Sequence, residues 1–211
     1  MSNEPTNRKL HWETIYGTKS PTEVSWYQPE TRLSLDMIRK IAPDVSSAII
    51  DVGGGASLLV DELTGAGYQN ITVLDVSAAA FEVSRKRLGE RSKDIEWIVG
   101  DVLDATLQAG AFNLWHDRAV FHFLLTNDER RRYIAQVKHA LRSDGHVVIA
   151  TFAENGPTRC SGLEVCRYSS ENLMAEFGDD FVLLQSFKED HRTPSGNVQR
   201  FQYSLFGFKS R

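Results

Sequence analysis

The 211-residue sequence predicts an α/β fold: a three-layer sandwich whose mostly parallel sheet is closed by an antiparallel C-terminal hairpin strand. Three observations predict it. Short apolar runs alternate with segments of helical period through the body of the chain, as strands buried on both faces of a parallel sheet require. The first of those runs leads directly into three glycines, the tight turn that joins a strand to a helix in such folds. Near the end, two apolar runs flank Pro194, Ser195, Gly196 and Asn197 with no helix between them, which predicts a hairpin and so one antiparallel strand.

The elements follow in order. His11 to Tyr16 reads as a short helix ending near Gly17. Pro29 suits the first turn of a helix running to about Ile41, with Leu33, Met37 and Ile41 on one face and Pro43 as its stop. Ala48 to Val52 is the first strand. Glycines 53 to 55 follow, then a helix through Leu58, Leu59 and Leu63 that closes at Gly65 or Gly67. Ile71 to Asp75 is the second strand, and Ser77 caps the next helix, which carries Phe81, Ser84 and Leu88 at helical spacing. Ile95 to Val99 is the third strand, ending at Gly100-Asp101. Phe112 to Trp115 is the fourth. Thr126 and Glu129 form a capping box for a helix that turns Tyr133, Ile134, Val137 and Leu141 inward. Gly145 ends that turn, and His146 to Phe152 is the fifth strand. Ala153 to Tyr168, with Gly156-Pro157 and Gly162, reads as a mobile loop. Phe181 to Phe187, and Phe201, Tyr203 and Leu205 in alternation with polar residues, make the hairpin.

Composition narrows the class of function. With 41% hydrophobic and 25% charged residues the chain fits one globular domain. A net charge of -4 leaves no basic footprint for DNA or RNA, so no nucleic-acid partner is expected. Arg130, Arg131 and Arg132 read as a solvated helix face. The polar opening Met1 to Leu10 lacks the apolar segment of a signal peptide. No run approaches the ~18 apolar residues of a membrane span, so no membrane role is expected. Cys160 and Cys166 are too few for a disulfide framework and have no companion pair for a metal, so the expectations are a reducing cytoplasm and no metal site.

The candidate site lies at the carboxyl ends of the strands, where open α/β folds bind ligands. The turn at Gly53, Gly54 and Gly55 lets backbone approach a ligand and aims a helix N-terminus at it. The ordinary alternative is a tight turn and nothing more. Asp75, ending the second strand, can accept hydrogen bonds from both hydroxyls of a ribose. Asp101, after the third, can face the exocyclic amine of an adenine; alone it reads equally well as a turn residue. Asp51, Asp75 and Asp101 each mark the end of a successive strand on one sheet edge, and the set carries more weight than any member.

Asp51-Val52-Gly53-Gly54-Gly55, Leu74-Asp75, Gly100-Asp101 and the stretch Phe112 to Arg118 together resemble the class I, Rossmann-like S-adenosyl-L-methionine (SAM) methyltransferases. The resemblance spans residues 46 to 153, and the terminal hairpin is similar to the family's seventh, antiparallel strand. It implies one domain over residues 1–211: a helical lid (1–45), a SAM-binding core (46–153) and a C-terminal loop, helix and hairpin (154–211). It also implies that the glycine loop holds the methionine half of SAM, that Asp75 binds the ribose and that Asp101 lies near adenine, with Asp51, Val76 and Val102 as further cofactor contacts. The turn after the fourth strand, His116 to Arg118, is implied to meet the methionine amino group, with His116 and Asp117 as cofactor contacts. Two positions depart from the family pattern: Ser57 stands where a third glycine is usual, and Asn113 where many relatives have Asp.

A sulfonium methyl is already activated, so position and desolvation are most of what such a protein supplies. A general base is needed only when the acceptor holds a proton at attack. The Asp-Arg pair followed by small and apolar residues resembles thiopurine-type S-methyltransferases, which implies Arg118 as an acceptor contact, with His122 as a second catalytic candidate. A buried salt bridge for Arg118 and a packed histidine for His122 are the structural alternatives. The N-terminal segment resembles the lid of small bacterial methyltransferases, which implies that Trp12, Tyr16 and Trp26, with Tyr27, flank the cofactor. The aromatics also suit plain packing of a lid on a core. The reading is a SAM-dependent methyltransferase acting on a small-molecule thiol, amine or hydroxyl. Protein-lysine methylation is the alternative within the enzyme class. An NAD-dependent oxidoreductase and a non-catalytic SAM-binding protein are the alternatives outside it. The missing last glycine of Gly-x-Gly-x-x-Gly, where Leu58 stands, argues against NAD.

Overall fold

A computed structural model describes residues 5–209; the opening Met1 to Glu4 and the last two residues lie outside the described part. Seven strands form one sheet. β1 (Ala48–Val52), β2 (Asn70–Asp75), β3 (Ile95–Val99), β4 (Phe112–Arg118) and β5 (Leu141–Phe152) run parallel. β9 (Val198–Phe208) inserts antiparallel between β5 and β8 (Phe181–Arg192). The spatial order is β3-β2-β1-β4-β5-β9-β8, so the chain reverses direction of growth between β1 and β4, where a crevice opens above the strand ends.

Alternation along each strand divides the core in two. Ile49, Leu114 and Val148 face α3 (Leu59–Gly65), α4 (Ala78–Leu88) and α2 (Arg32–Ile41). Ile50, Trp115 and Val147 face α5 (Asn127–Ala140) and α6 (Ser170–Phe177) on the other side. β1 is buried on both faces because both layers pack on it, which is why it reads as an unbroken apolar run. The remaining helix, α1 (Pro5–Thr18), crosses the carboxyl edge of the sheet. Among the described residues, no helix is long and apolar enough to cross a membrane.

Several expectations are corrected. The second helix starts at Arg32, not at Pro29. Glu62 of α3 takes both the backbone N–H and the hydroxyl of Thr31, which fixes the helix start there. The fourth strand runs on to Arg118, so His116, Asp117 and Arg118 are strand residues and not a turn. Pairing on both sides, Val52 with Asp117 and Ala150 with Arg118, keeps the backbone extended, and the reversal falls at Ala119, where φ is 74°. Ala153 to Tyr168 is not a free loop. β6 (Arg159–Cys160) pairs with β7 (Leu163–Glu164), and the N–H groups of Cys166 and Tyr168 are tied to the carbonyls of His122 and Phe152. Arg130 is buried, bonded to the carbonyls of Leu124 and Leu125 and paired with Glu176 at 2.8 Å, while Arg131 remains solvated.

Candidate active site

The glycine turn lies flat over the ends of β1 and β2. Gly53 and Gly55 have φ of 69° and 42°, in the left-handed region. A Cβ on Gly54 would stand 2.5 Å from Asp51 Oδ2 and 2.6 Å from Val73 Cγ1, so only glycine permits this approach. Above the turn, α1 roofs a cavity with about 780 Å³ of free space, its open mouth included. Gly53, Asp75, Val76, Asp101 and Val102 line its floor; Trp12, Tyr16 and Trp26 line its roof.

Asp75 ends β2 almost fully buried, with Oδ1 accepting the Ser77 N–H at 2.9 Å. Burial pushes its carboxyl up to about 7, and the neighbouring Asp51 and Glu13 charges add to the rise. Asp101 spends Oδ1 on the Leu103 N–H at 3.0 Å and still faces the cavity.

Glu13, which sequence reasoning missed, reaches from α1 to the N-terminus of α4. It accepts from the N–H groups of Ala78 (2.8 Å) and Ala79 (3.1 Å) and from the Ser77 hydroxyl (3.0 Å). Burial works against its charge, but these donors outweigh it and hold the carboxyl below its ordinary range. Ser77 meanwhile caps Ala80, so the first turn of α4 is satisfied by two residues from distant segments. Replacing Glu13 with Ala is expected to destabilise the protein by about 1 kcal/mol, the usual loss for a helix cap, lowering Tm by ~2–4 °C in a thermal melt. An unchanged melt would show that the capping adds nothing. The roof has two further fastenings: Arg8 pairs with Glu129 of α5 at 2.7 Å, and His11 meets Ser161 at 3.2 Å. The aromatics pack edge to face, Trp12 on Trp26 (5.3 Å) and on Phe123 (5.4 Å).

A second cavity adjoins the first on the α2 side, lined by Tyr27, Ser34, Asp51, Gly54 and His116; Gly53, Tyr16, Trp26 and Arg118 border both. Its wall is a buried polar chain. Asp51 Oδ1 meets His116 Nδ1 at 2.7 Å, and His116 Nε2 meets Ser34 Oγ at 2.9 Å. Arg118 Nε donates to the Tyr203 hydroxyl at 3.1 Å. Arg118 further donates to the Trp26 carbonyl at 3.2 Å and lies over the Phe201 ring at 4.2 Å. Ser34 and Tyr203 went unnoticed in the sequence. The one signal for Ser34 is a hydroxyl on the inward face of an amphipathic helix.

Three expected site residues line neither cavity: Gly55, Asp117 and His122. Asp117 points to the opposite face of β4, where it accepts from the N–H groups of Val120 (2.8 Å) and Phe121 (3.0 Å) and from the Tyr133 hydroxyl. Burial pushes it up to about 6 against the pull of those donors. His122 is fully buried and takes the Phe152 N–H on Nδ1 at 3.3 Å. Burial and the nearby Arg118 push its imidazole down to about 3, so it is neutral, and it lines neither cavity.

A parallel sheet carrying one antiparallel strand next to its edge, with a glycine cradle and acid-lined crevice at the switch point, is the arrangement expected of a class I SAM-dependent methyltransferase. Sequence comparison agrees: residues 49–145 match the family described as a methyltransferase domain. These matches support a SAM-dependent methyltransferase of class I, an enzyme with SAM as its cofactor. Human EEF1A lysine methyltransferase 2 is 23% identical over 189 residues, covering 83% of this chain and 74% of that one. The fold matches NodS, an N-methyltransferase from Bradyrhizobium japonicum WM9 solved with S-adenosyl-L-homocysteine, with a TM-score of 0.72, 16% identity and coverage of 98% and 100%. It also matches a protein described for conversion of a disulfide bond into a thioacetal group during echinomycin biosynthesis, with a TM-score of 0.74, 20% identity and coverage of 96% and 92%.

Proposed function

We propose that the chain methylates an amine, and that this amine is a lysine side chain of a protein. In this reading Gly53, Gly54 and Gly55 cradle the cofactor, Asp75 takes the ribose hydroxyls, Asp101, Val76 and Val102 flank the adenine, and Trp12, Tyr16 and Trp26 keep water off the sulfonium. The Cβ-free approach at Gly54 and the buried, unsaturated carboxyl of Asp75 fit such a ligand. SAM, when bound, supplies an activated methyl group. The amine must arrive uncharged to attack it, and among the described residues no histidine lines the first cavity to take a proton.

The observation that carries the amine reading is the aromatic wall that Trp12, Trp26 and Phe123 give the first cavity. Burial among apolar rings lowers an amine's pKa, which frees the nitrogen lone pair. The protein-lysine assignment draws on the relative whose printed name is an EEF1A lysine methyltransferase. A small-molecule amine is the second reading, favoured by the roof that α1 lays over the cavity. Incubating the protein with methyl-labelled SAM and either an EEF1A-type elongation factor or a panel of free amines, thiols and hydroxyl compounds separates them. Label on a lysine of the factor, located by mass spectrometry, is the expected outcome. Turnover confined to the free compounds would overturn it.

A further inference from the structure

Trp26 borders both cavities from a stretch, Val24 to Thr31, that is neither helix nor strand. A turn bond from the Tyr27 N–H to the Val24 carbonyl (3.1 Å) shapes that stretch without tying it to the body of the protein. A ring on such a segment keeps one position only if its backbone is anchored from outside. The anchors come from the far end of the chain. β5 stops at Phe152, opposite Phe201. β8 and β9 run on past it, pairing Asp190 with Arg200, His191 with Gln199 and Arg192 with Val198. The terminal hairpin therefore overhangs the carboxyl edge of the sheet, on which the cavities open.

Successive side chains of the overhang face opposite ways. Asp190 turns outward to a half-exposed pair with Arg200 at 2.6 Å. Glu189 and His191 turn onto the Val24–Thr31 stretch. His191, itself buried, donates from Nε2 to the Ser25 carbonyl at 2.8 Å. A carbonyl can only accept, so Nε2 carries the proton. Burial and the nearby Arg118 hold the imidazole below its ordinary range against the pull of that bond, so the ring is neutral. Glu189 Oε1 accepts from Gln28 Nε2 at 3.5 Å, and Arg118 of β4 donates from Nη1 to the Trp26 carbonyl at 3.2 Å. Both peptide units that flank the Trp26 α-carbon are thereby fixed. The ring then stands edge-on to Trp12 at 5.3 Å and to Tyr16 at 6.2 Å, which joins it to the roof.

We propose that His191 is a positioning residue, which acts through the Ser25 carbonyl to set the Trp26 ring over the cofactor before the cofactor arrives. The proposal rests on the SAM reading and deepens it. His191 lines neither cavity and touches no ligand. Its effect is preorganisation: a ring already in place need not be ordered when the ligand binds.

The test uses the full chain. In calorimetry, His191→Leu is expected to weaken S-adenosylhomocysteine about fivefold, the size of ordering one large side chain. His191→Gln, whose amide offers a donor at the same reach, stays within about twofold of wild type. Trp26→Ala weakens the ligand about tenfold, and adding His191→Leu to it costs nothing more, because the ring to be positioned is gone. A residue that only stabilised the fold would add its loss in either background. Acrylamide quenching reads the ring without ligand. Tryptophan emission is quenched more in His191→Leu than in wild type, and the difference vanishes in a Trp26→Phe background. His191→Phe, which fills the space beside the Phe201 ring, serves in place of the leucine should that chain not fold. Unchanged affinity or unchanged quenching in the leucine variant, a glutamine as weak as the leucine, or losses that multiply in the double variant overturn the proposal. A wild-type chain that binds no S-adenosylhomocysteine overturns the cofactor reading instead, and the quenching comparison then decides the positioning alone.

Discussion

Asp75→Asn is expected to weaken S-adenosylhomocysteine binding at pH 8 by about 10- to 100-fold while making the ligand-free protein more stable. The loss is that of charged hydrogen bonds to the ribose, ~1–3 kcal/mol. The gain follows from the carboxyl's position, buried and held up to about 7 against 3.8 for an ordinary Asp. Below the ordinary value the group is protonated folded and unfolded alike and has no effect. Between about 4 and 7 the unfolded chain ionises while the folded one keeps its proton, so stability falls as pH rises, and the loss is complete above about 7. The asparagine removes a penalty of the order of 4 kcal/mol at pH 8. Ligand binding reverses the same balance. Ribose hydroxyls donate to the ionised form, so wild-type binding releases a proton and tightens from pH 6 to 8. Calorimetry in buffers of different ionisation heat reads that proton. A variant that binds as tightly as wild type, or a wild-type affinity flat in pH, would remove Asp75 from the ribose.

Asp117→Ala should cost about 3–5 kcal/mol of stability, the range for breaking a buried charged network by removing one partner. Three donors, from Val120, Phe121 and Tyr133, lose their acceptor in a site with no room for water around a fully buried side chain. The effect spreads through Tyr133, whose hydroxyl also takes the Trp115 indole N–H at 2.8 Å. Tm should fall by about 10 °C, and Asp117→Asn, which keeps one acceptor oxygen, should lose less. Urea unfolding checks both; a shift under 1 kcal/mol for the alanine variant would mean that the turn after β4 stands without its brace.

What was legible in the sequence is what is local. The strand from Ile95 to Val99, the Ser77 cap and the Thr126–Glu129 capping box need only neighbouring residues, and all stand as expected. So does the hairpin at Pro194 to Asn197, longer than expected on both sides because Lys188 to Arg192 stay paired with Gln202 back to Val198. The acids at strand ends were legible because a parallel sheet brings all its carboxyl ends to one edge. The side on which each acid works was not. Asp51 and His116 fall on the α2 face and Asp117 on the α5 face because register, not spacing alone, decides orientation. Glu13 had no signal at all: its partners lie 64 to 66 positions away, and a lone Glu on a helix reads as solvated.

Glu13 also couples two elements of the fold. The carboxylate that fastens α1 over the cavity is the one that completes the first turn of α4, and that turn follows directly on Asp75. Displacing α1 would therefore take three hydrogen bonds from the first turn of α4 along with the Arg8–Glu129 and His11–Ser161 contacts.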